Sequence, residues 1–199
     1  PMTLDSIKDV SSNPEAVLDP EAAAEFKANN GGTTNTPVIT SSDGWKGLRK
    51  VISYAEGTLG DAGYTTRFGG GQFTAGKDHP RIGAATPWGT TSAAAGKYQI
   101  MPATWDTVVQ PALNLPDFGV ESQEKAGRYL VQNRGVNPDT VIQNKEQMRS
   151  VLDKLAPEWA GLPYSGVSPG GYGKGSSYYG QGGKSLDEIW SIYSQTMGY

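Results

Sequence analysis

Glu56 is a carboxylate standing where an apolar side chain is expected. At about 100° per residue, Trp45, Ile52 and Glu56 fall within roughly 40° of one another on a helical wheel, so Glu56 shares the core-facing stripe. A carboxyl group against an apolar wall, with no matched cation, loses hydration when it ionises, and its pKa should rise towards neutrality. Such a group is a proton donor at working pH, which is what cleavage of an acetal needs at its leaving oxygen. The competing reading is a helix-terminal glutamate whose long side chain escapes into water. Two more acids stand nearby in sequence: Asp61, in the loop after the helix, and Asp78, just before His79. Either could act as a second carboxylate, as nucleophile or as the base that activates water, or could simply face solvent. His79 is the only histidine. Between Asp78 and Pro80, it is expected to fix a loop by hydrogen bonding rather than to transfer protons.

The elements that must position these groups are readable from periodicity and punctuation. A helix runs from Ser42 or Asp43, either of which could cap it, through Trp45, Leu48, Val51, Ile52 and Ala55 to a stop at Gly57. The β-prone runs Tyr64-Thr-Thr-Arg67-Phe68 and Gln72-Phe73-Thr74 flank Gly69-Gly70-Gly71, which predicts a small glycine-turned hairpin. After Ser92-Ala-Ala-Ala-Gly96 a short strand carries Tyr98 and Gln99. Pro102 then opens a helix bearing Trp105, Val108 and Val109. Met148, Val151, Leu152, Leu155 and Trp159 make one helical stripe. Leu186, Ile189, Trp190, Tyr193 and Met197 make another, started by the capping box Ser185-Leu-Asp-Glu188. A long Gly/Tyr/Ser loop from Tyr164 to Gly183 joins the two, and its tyrosines could form one wall of a groove. Helix with terminal Glu, glycine hairpin, strand and helix, in that order, predict an α+β domain over 41–199 whose order of elements resembles that of a lysozyme-like cleft. It should be mostly helical with a small β-hairpin lip.

Several ordered motifs carry a family resemblance. They are Ser53-Tyr-Ala-Glu56-Gly57-Thr58, Gly63-Tyr64 leading to Phe68-Gly69-Gly70, Asp78-His79-Pro80-Arg81 and Ala95-Gly96-Lys97-Tyr98-Gln99. Leu115-Pro-Asp117-Phe118 with Ser122-Gln123, then Asn133-Arg134-Gly135, Trp159-Ala-Gly-Leu162-Pro163 and Gly171-Tyr172-Gly173 follow in the same order. Over roughly Gly44 to Met197 the chain resembles the lambda endolysin-like lytic transglycosylase family of the lysozyme-like superfamily. The resemblance implies cleavage of peptidoglycan between N-acetylmuramic acid and N-acetylglucosamine without water. In that family the residue matching Glu56 protonates the glycosidic oxygen. It then helps to deprotonate the muramic acid C6 hydroxyl, which attacks C1 to leave a 1,6-anhydro end. An internal hydroxyl held near C1 can replace the second carboxylate. The tip Gly70-Gly71-Gln72 carries no acid, whereas relatives can have one nearby, so a hydrolytic muramidase using Asp61 or Asp78 stays open.

By the same resemblance, Tyr98 and Gln99 line the groove, the ring supporting a sugar face and the amide bonding an acetamido group. Their alternative is ordinary strand packing. Tyr64, His79 and Tyr172 join them as expected substrate-binding residues. A third class of function is a phage structural or glycan-binding protein in which the cleft only holds the cell wall; it would tolerate Glu56→Gln.

Composition narrows the setting. With no Cys and one His, a zinc site lacks its favoured ligands, and a mechanism without metal or cofactor is expected. No apolar run approaches a membrane span, and the start of the sequence lacks a signal-like region. The net charge is −3. Residues 1–30 hold six acids (Asp5, Asp9, Glu15, Asp19, Glu21, Glu25) against Lys8 and Lys27, so the acidity belongs to an N-terminal polar arm over 1–40. The remainder, near neutral and without a basic stripe, argues against nucleic acid as partner. Gly31 to Pro37 reads as a linker. The arm is expected either to lie on its own domain or to dock on phage tail proteins, which would place the enzyme in the virion and its action in the host periplasm. The alternative is an endolysin that passes from host cytoplasm to periplasm.

Overall fold

The structure is a computed structural model that describes residues 43–167, 177–180 and 183–199. The arm over 1–40, the Ser42 cap and Tyr172 lie outside the described residues. Five helices form the domain, and all of its regular β-structure among the described residues is one two-stranded antiparallel ladder.

Helix α1 spans Asp43–Ala55. Trp45, Leu48, Val51 and Ile52 are all buried, as the wheel predicts. The helix stops at Gly57, whose φ of 71° lies in the left-handed region that favours glycine. The Thr58 amide closes the end by donating back to the Ser53 carbonyl at 2.8 Å.

The next segment departs from the predicted hairpin. Residues Asp61–Thr65 and Phe68–Gly70 coil as 3₁₀ turns, and the expected strands meet only at the single bridge Thr66↔Gln72. The reason is local. Gly69 and Gly70 both take positive φ and curl the tip. The Thr66 hydroxyl donates to the Ala62 carbonyl, a contact that belongs to a turn. The regular ladder forms further on, where β1 (Ala84–Ala85) pairs with β2 (Thr91–Ser92) in the register Ala84↔Ser92. Tyr98 and Gln99 also leave their predicted strand. Gly96 (φ 78°) and Gln99 (φ 44°) turn the chain so that Ala95 bridges Ile100.

Helix α2 begins at Pro102 and comprises Pro102–Thr104, a π turn over Trp105–Val109 and Gln110–Leu113. The π turn sits immediately ahead of Pro111, which has no N–H to give to the preceding turn. The Gln110 amide instead reaches five residues back, to the Trp105 carbonyl. Helix α3, Val120–Asn133, is an element the sequence reading did not name. Helix α4, Lys145–Leu155, buries Met148, Leu152 and Leu155, and Trp159 follows just beyond its end. Helix α5, Leu186–Met197, starts with the predicted capping box intact. It lies along α1, where Gly47 leaves room for the Tyr193 ring: a Cβ there would come within 2.2 Å of it. One apolar core joins α1 to the aromatic side chains of the other elements, among them Tyr98, Trp105, Phe118, Tyr129, Trp159 and Tyr193.

Candidate active site

Glu56 sits one residue beyond α1 and is half-buried. Three segments converge on it. The Thr58 hydroxyl donates to the Lys97 carbonyl at 2.6 Å, fastening the helix end to the Gly96–Gln99 turn. From the same turn the Tyr98 carbonyl accepts the Trp159 indole N–H at 2.9 Å. Two residues on, the Gly161 amide donates to Glu56 Oε1 at 3.2 Å. This is the one hydrogen bond to the Glu56 carboxyl among the described residues. Glu56 keeps an opening to solvent on one side, while protein atoms crowd its carboxyl on the others. That crowding pushes its pKa up to about 7, against a weaker downward pull from the Gly161 N–H. The amide occupies Oε1, which leaves Oε2 to carry the proton.

The closeness of Gly161 depends on its having no side chain. A Cβ there would lie 2.4 Å from the Ala55 carbonyl oxygen and 3.1 Å from Glu56 Oε1. The Gly161 carbonyl is held in turn by the Lys184 amide at 3.0 Å, so the segment under the acid is tied on both sides.

The other sequence-derived candidates divide sharply. Asp78 accepts the His79 amide at 2.7 Å and the Trp105 indole at 2.8 Å, and pairs with Arg81 at 2.8 Å. These donors, Arg81 foremost, hold its carboxyl below the usual range. It is a loop fastener. Asp61 is exposed in the first turn of the 3₁₀ segment. His79 is buried, with Nε2 against the Ile100 carbonyl at 2.8 Å and Nδ1 accepting the Arg81 amide at 3.0 Å. Both ring nitrogens are therefore engaged, and burial lowers its pKa. It fixes the loop, as its flanking residues suggested. Tyr98 offers no exposed ring: it is 1% exposed, with its hydroxyl on Glu124 at 2.7 Å. Its expected groove-lining role gives way to packing, because the turn that replaced the strand lets the ring reach inward to Glu124 on α3. Gln99 spends its amide N–H groups on the Thr66 and Gly96 carbonyls, at 3.1 and 3.0 Å. Tyr64 is half-buried, its hydroxyl also donating to Glu124, with the Lys97 ammonium 5.1 Å from its ring centre.

Glu124 is the residue that sequence reasoning missed. It is 7% exposed and accepts from Trp45, Arg49, Tyr64 and Tyr98. The signal was present, because Glu124 shares a helical face with Gly127 and Val131 just as Glu56 shares one with Ile52. Tyr164, Tyr178 and Tyr179 form a chain of edge-to-face contacts with ring centres 5.0 Å apart. They belong to the tyrosine-rich segment expected to supply a wall. Among the described residues no group of three His, Cys, Asp or Glu could hold a metal ion, and no helix is long and apolar enough to cross a membrane.

Similarity to known proteins follows this geometry. The chain is 29% identical over 127 residues to the endolysin of Escherichia phage lambda, an alignment covering 61% of this chain and 78% of that protein. A solved structure of bacteriophage lambda lysozyme complexed with a chitohexasaccharide superposes with a TM-score of 0.61 at 26% identity, covering 77% of this chain and 94% of the other. A second lambda lysozyme structure gives 0.59 at 23% identity, with the same coverage of both chains, and supports the fold alone. The profile of one family runs from residue 46 in the first turn of α1 to residue 199, taking in Glu56 and every segment that closes on it, and the chain belongs to that family, Endolysin.

Proposed function

We propose that this protein degrades peptidoglycan by cleaving its glycan strand, as a lytic transglycosylase that leaves 1,6-anhydro-muramic acid ends. The observation that carries the reading is Glu56: a half-buried carboxyl with a single amide partner and a pKa near 7. Such a group holds a proton for the glycosidic oxygen near neutral pH. Once ionised, it can accept one from the C6 hydroxyl that attacks C1. The bond between C1 and the leaving oxygen breaks, the bond between C1 and O6 forms, and the proton lost by O6 returns to Glu56. No water is consumed.

The surroundings of the two acids considered as partners support transglycosylation over hydrolysis. Asp78 is tied to Arg81, Trp105 and the His79 amide. Asp61 faces solvent from a turn five residues past Glu56. The lambda lysozyme solved with a chitohexasaccharide supports a glycan strand as the ligand. Digestion of purified peptidoglycan in ¹⁸O-labelled water tests the reaction. Fragments free of label and lighter by one water are expected; labelled reducing ends would make the enzyme a muramidase and return Asp61 to consideration. In this reading the protein is phage-encoded and acts on the host cell wall. Residues 1–40 are its docking arm on the tail, so deleting them should abolish incorporation into particles while cleavage by the free protein persists.

A further inference from the structure

Two neighbouring residues of α3 hold the same two segments of chain, one by backbone and the other by side chain. The Gln123 amide donates to the Tyr64 carbonyl at 2.9 Å and to the Phe118 carbonyl at 2.8 Å, and its oxygen accepts the Lys97 amide at 2.8 Å. Glu124 takes the hydroxyls of Tyr64 and Tyr98 on Oε1. Its other oxygen, Oε2, accepts the Trp45 indole at 3.1 Å and Arg49 at 3.3 Å, both from α1. One oxygen therefore faces the lip and its supporting turn, and the other faces the helix that ends in Glu56.

We propose that Glu124 is a positioning residue that sets the lip over residues 61–73 relative to Glu56, and so the fit of the glycan strand, through the Tyr64 hydroxyl. The inference rests on the reading of the cleft as a glycan site. The lip is joined by backbone to the turn before α2: the Phe68 N–H donates to the Ala94 carbonyl and the Gly96 N–H to the Thr66 carbonyl, both at 2.8 Å, so lip and turn form one unit. The lip's regular pairing is two bridges, Thr66↔Gln72 within the lip and Arg67↔Ala95 to the turn, and Gln72 and the hydroxyls of Thr65 and Thr66 bond within the lip itself. Gln123 holds only the base of the lip by its backbone. The Tyr64 and Tyr98 hydroxyls carry that unit onto α3, Tyr64 as the strut from the lip itself, and Glu124 receives both. Glu124 itself is too deeply buried to touch the glycan.

Glu124→Gln separates the two sides. Trp45 and Arg49 can only donate, so the new amide oxygen must stay with them. The NH₂ group is then forced towards the tyrosine hydroxyls, and the strut is weakened while α1 keeps its partner. Glu124→Gln and Tyr64→Phe should each raise KM for peptidoglycan about tenfold, the effect of losing one charge-assisted hydrogen bond, with kcat changed less than about threefold. The double variant should be no worse than either single one, because both break one contact. A KM effect of Tyr64→Phe that persists in full on the Glu124→Gln background would mean that Tyr64 touches glycan by itself, and would overturn the proposal. So would a fall in kcat at constant KM. Amide hydrogen exchange supplies a readout independent of catalysis. Lip amides over 63–73 should exchange about tenfold faster in both variants, while those of α1 are unchanged. If the native protein cleaves no glycan, the proposed function fails, and the exchange pattern alone then decides whether Glu124 holds the lip.

Discussion

Glu56→Gln is expected to lower kcat/KM on peptidoglycan by about 10³-fold, the usual scale for removing a positioned general acid and base. The amide is nearly isosteric and can still accept the Gly161 N–H, so the loss reports the missing proton rather than a collapsed cleft. The native enzyme should also lose kcat/KM as pH rises through about 7, the pKa to which burial pushes Glu56, because the acid must enter the reaction protonated. Residual activity of the variant should lack that step. A glycan-binding protein without chemistry would show neither effect, so retention of cleavage by the variant would sink the assignment of Glu56. Stability should move the opposite way. A carboxyl whose folded pKa is raised binds its proton more tightly when folded, so the folded state loses stability as pH climbs from the ordinary carboxyl range through about 7. Glutamine has no such cost. At pH 8 the variant should therefore be more stable than the native protein, by about 2 kcal/mol after allowing for the water that reaches the site. Below pH 4 the difference should vanish.

Gly161→Ala is the second substitution with a large expected effect. The added methyl would press on the Ala55 carbonyl at 2.4 Å and on Glu56 Oε1 at 3.1 Å, and neither backbone can yield without moving the helix end. Overpacking of this kind costs about 2 kcal/mol of stability. Displacing the acid by an ångström costs roughly 10²-fold in rate. A thermal melt and a steady-state rate, measured together on peptidoglycan, read both. Activity within about threefold of the native enzyme would mean that the Gly161 seat does not determine where the acid sits.

What could be read in the sequence was what depends on neighbours along the chain. The wheel position of Glu56, the stop at Gly57, the Ser185–Glu188 box and the stripes of α4 and α5 all follow from spacings of a few residues. The lip failed on the same scale, because consecutive glycines permit a hairpin tip and a 3₁₀ curl equally. Glu56 and Glu124 give the instructive pair. Each is a carboxylate on an apolar helical stripe, and by that rule they are indistinguishable. What separates them is who donates: Glu124 gathers two hydroxyls, an indole and a guanidinium from residues 45, 49, 64 and 98, whereas Glu56 receives one amide from residue 161. Those partners lie 26 to 105 positions away, and no periodicity reaches so far. Tyr98 was misplaced for the same reason, since its hydroxyl partner on α3 is what draws the ring inside.

The packing of α5 along α1, with Tyr193 in the space left by Gly47, has a consequence for timing during synthesis. The part of α1 that Tyr193 covers stays bare until residues 186–197 have followed, more than a hundred residues later. At about 5–20 residues per second that interval lasts many seconds, and contacts so distant in the chain form late. The Gly161 seat likewise follows Glu56 by 105 residues, so the nascent chain first carries the acid without the wall that gives it a neutral-range pKa. A site assembled in this order gains its neutral-range acid only after the segment around Gly161 has folded back onto the end of α1.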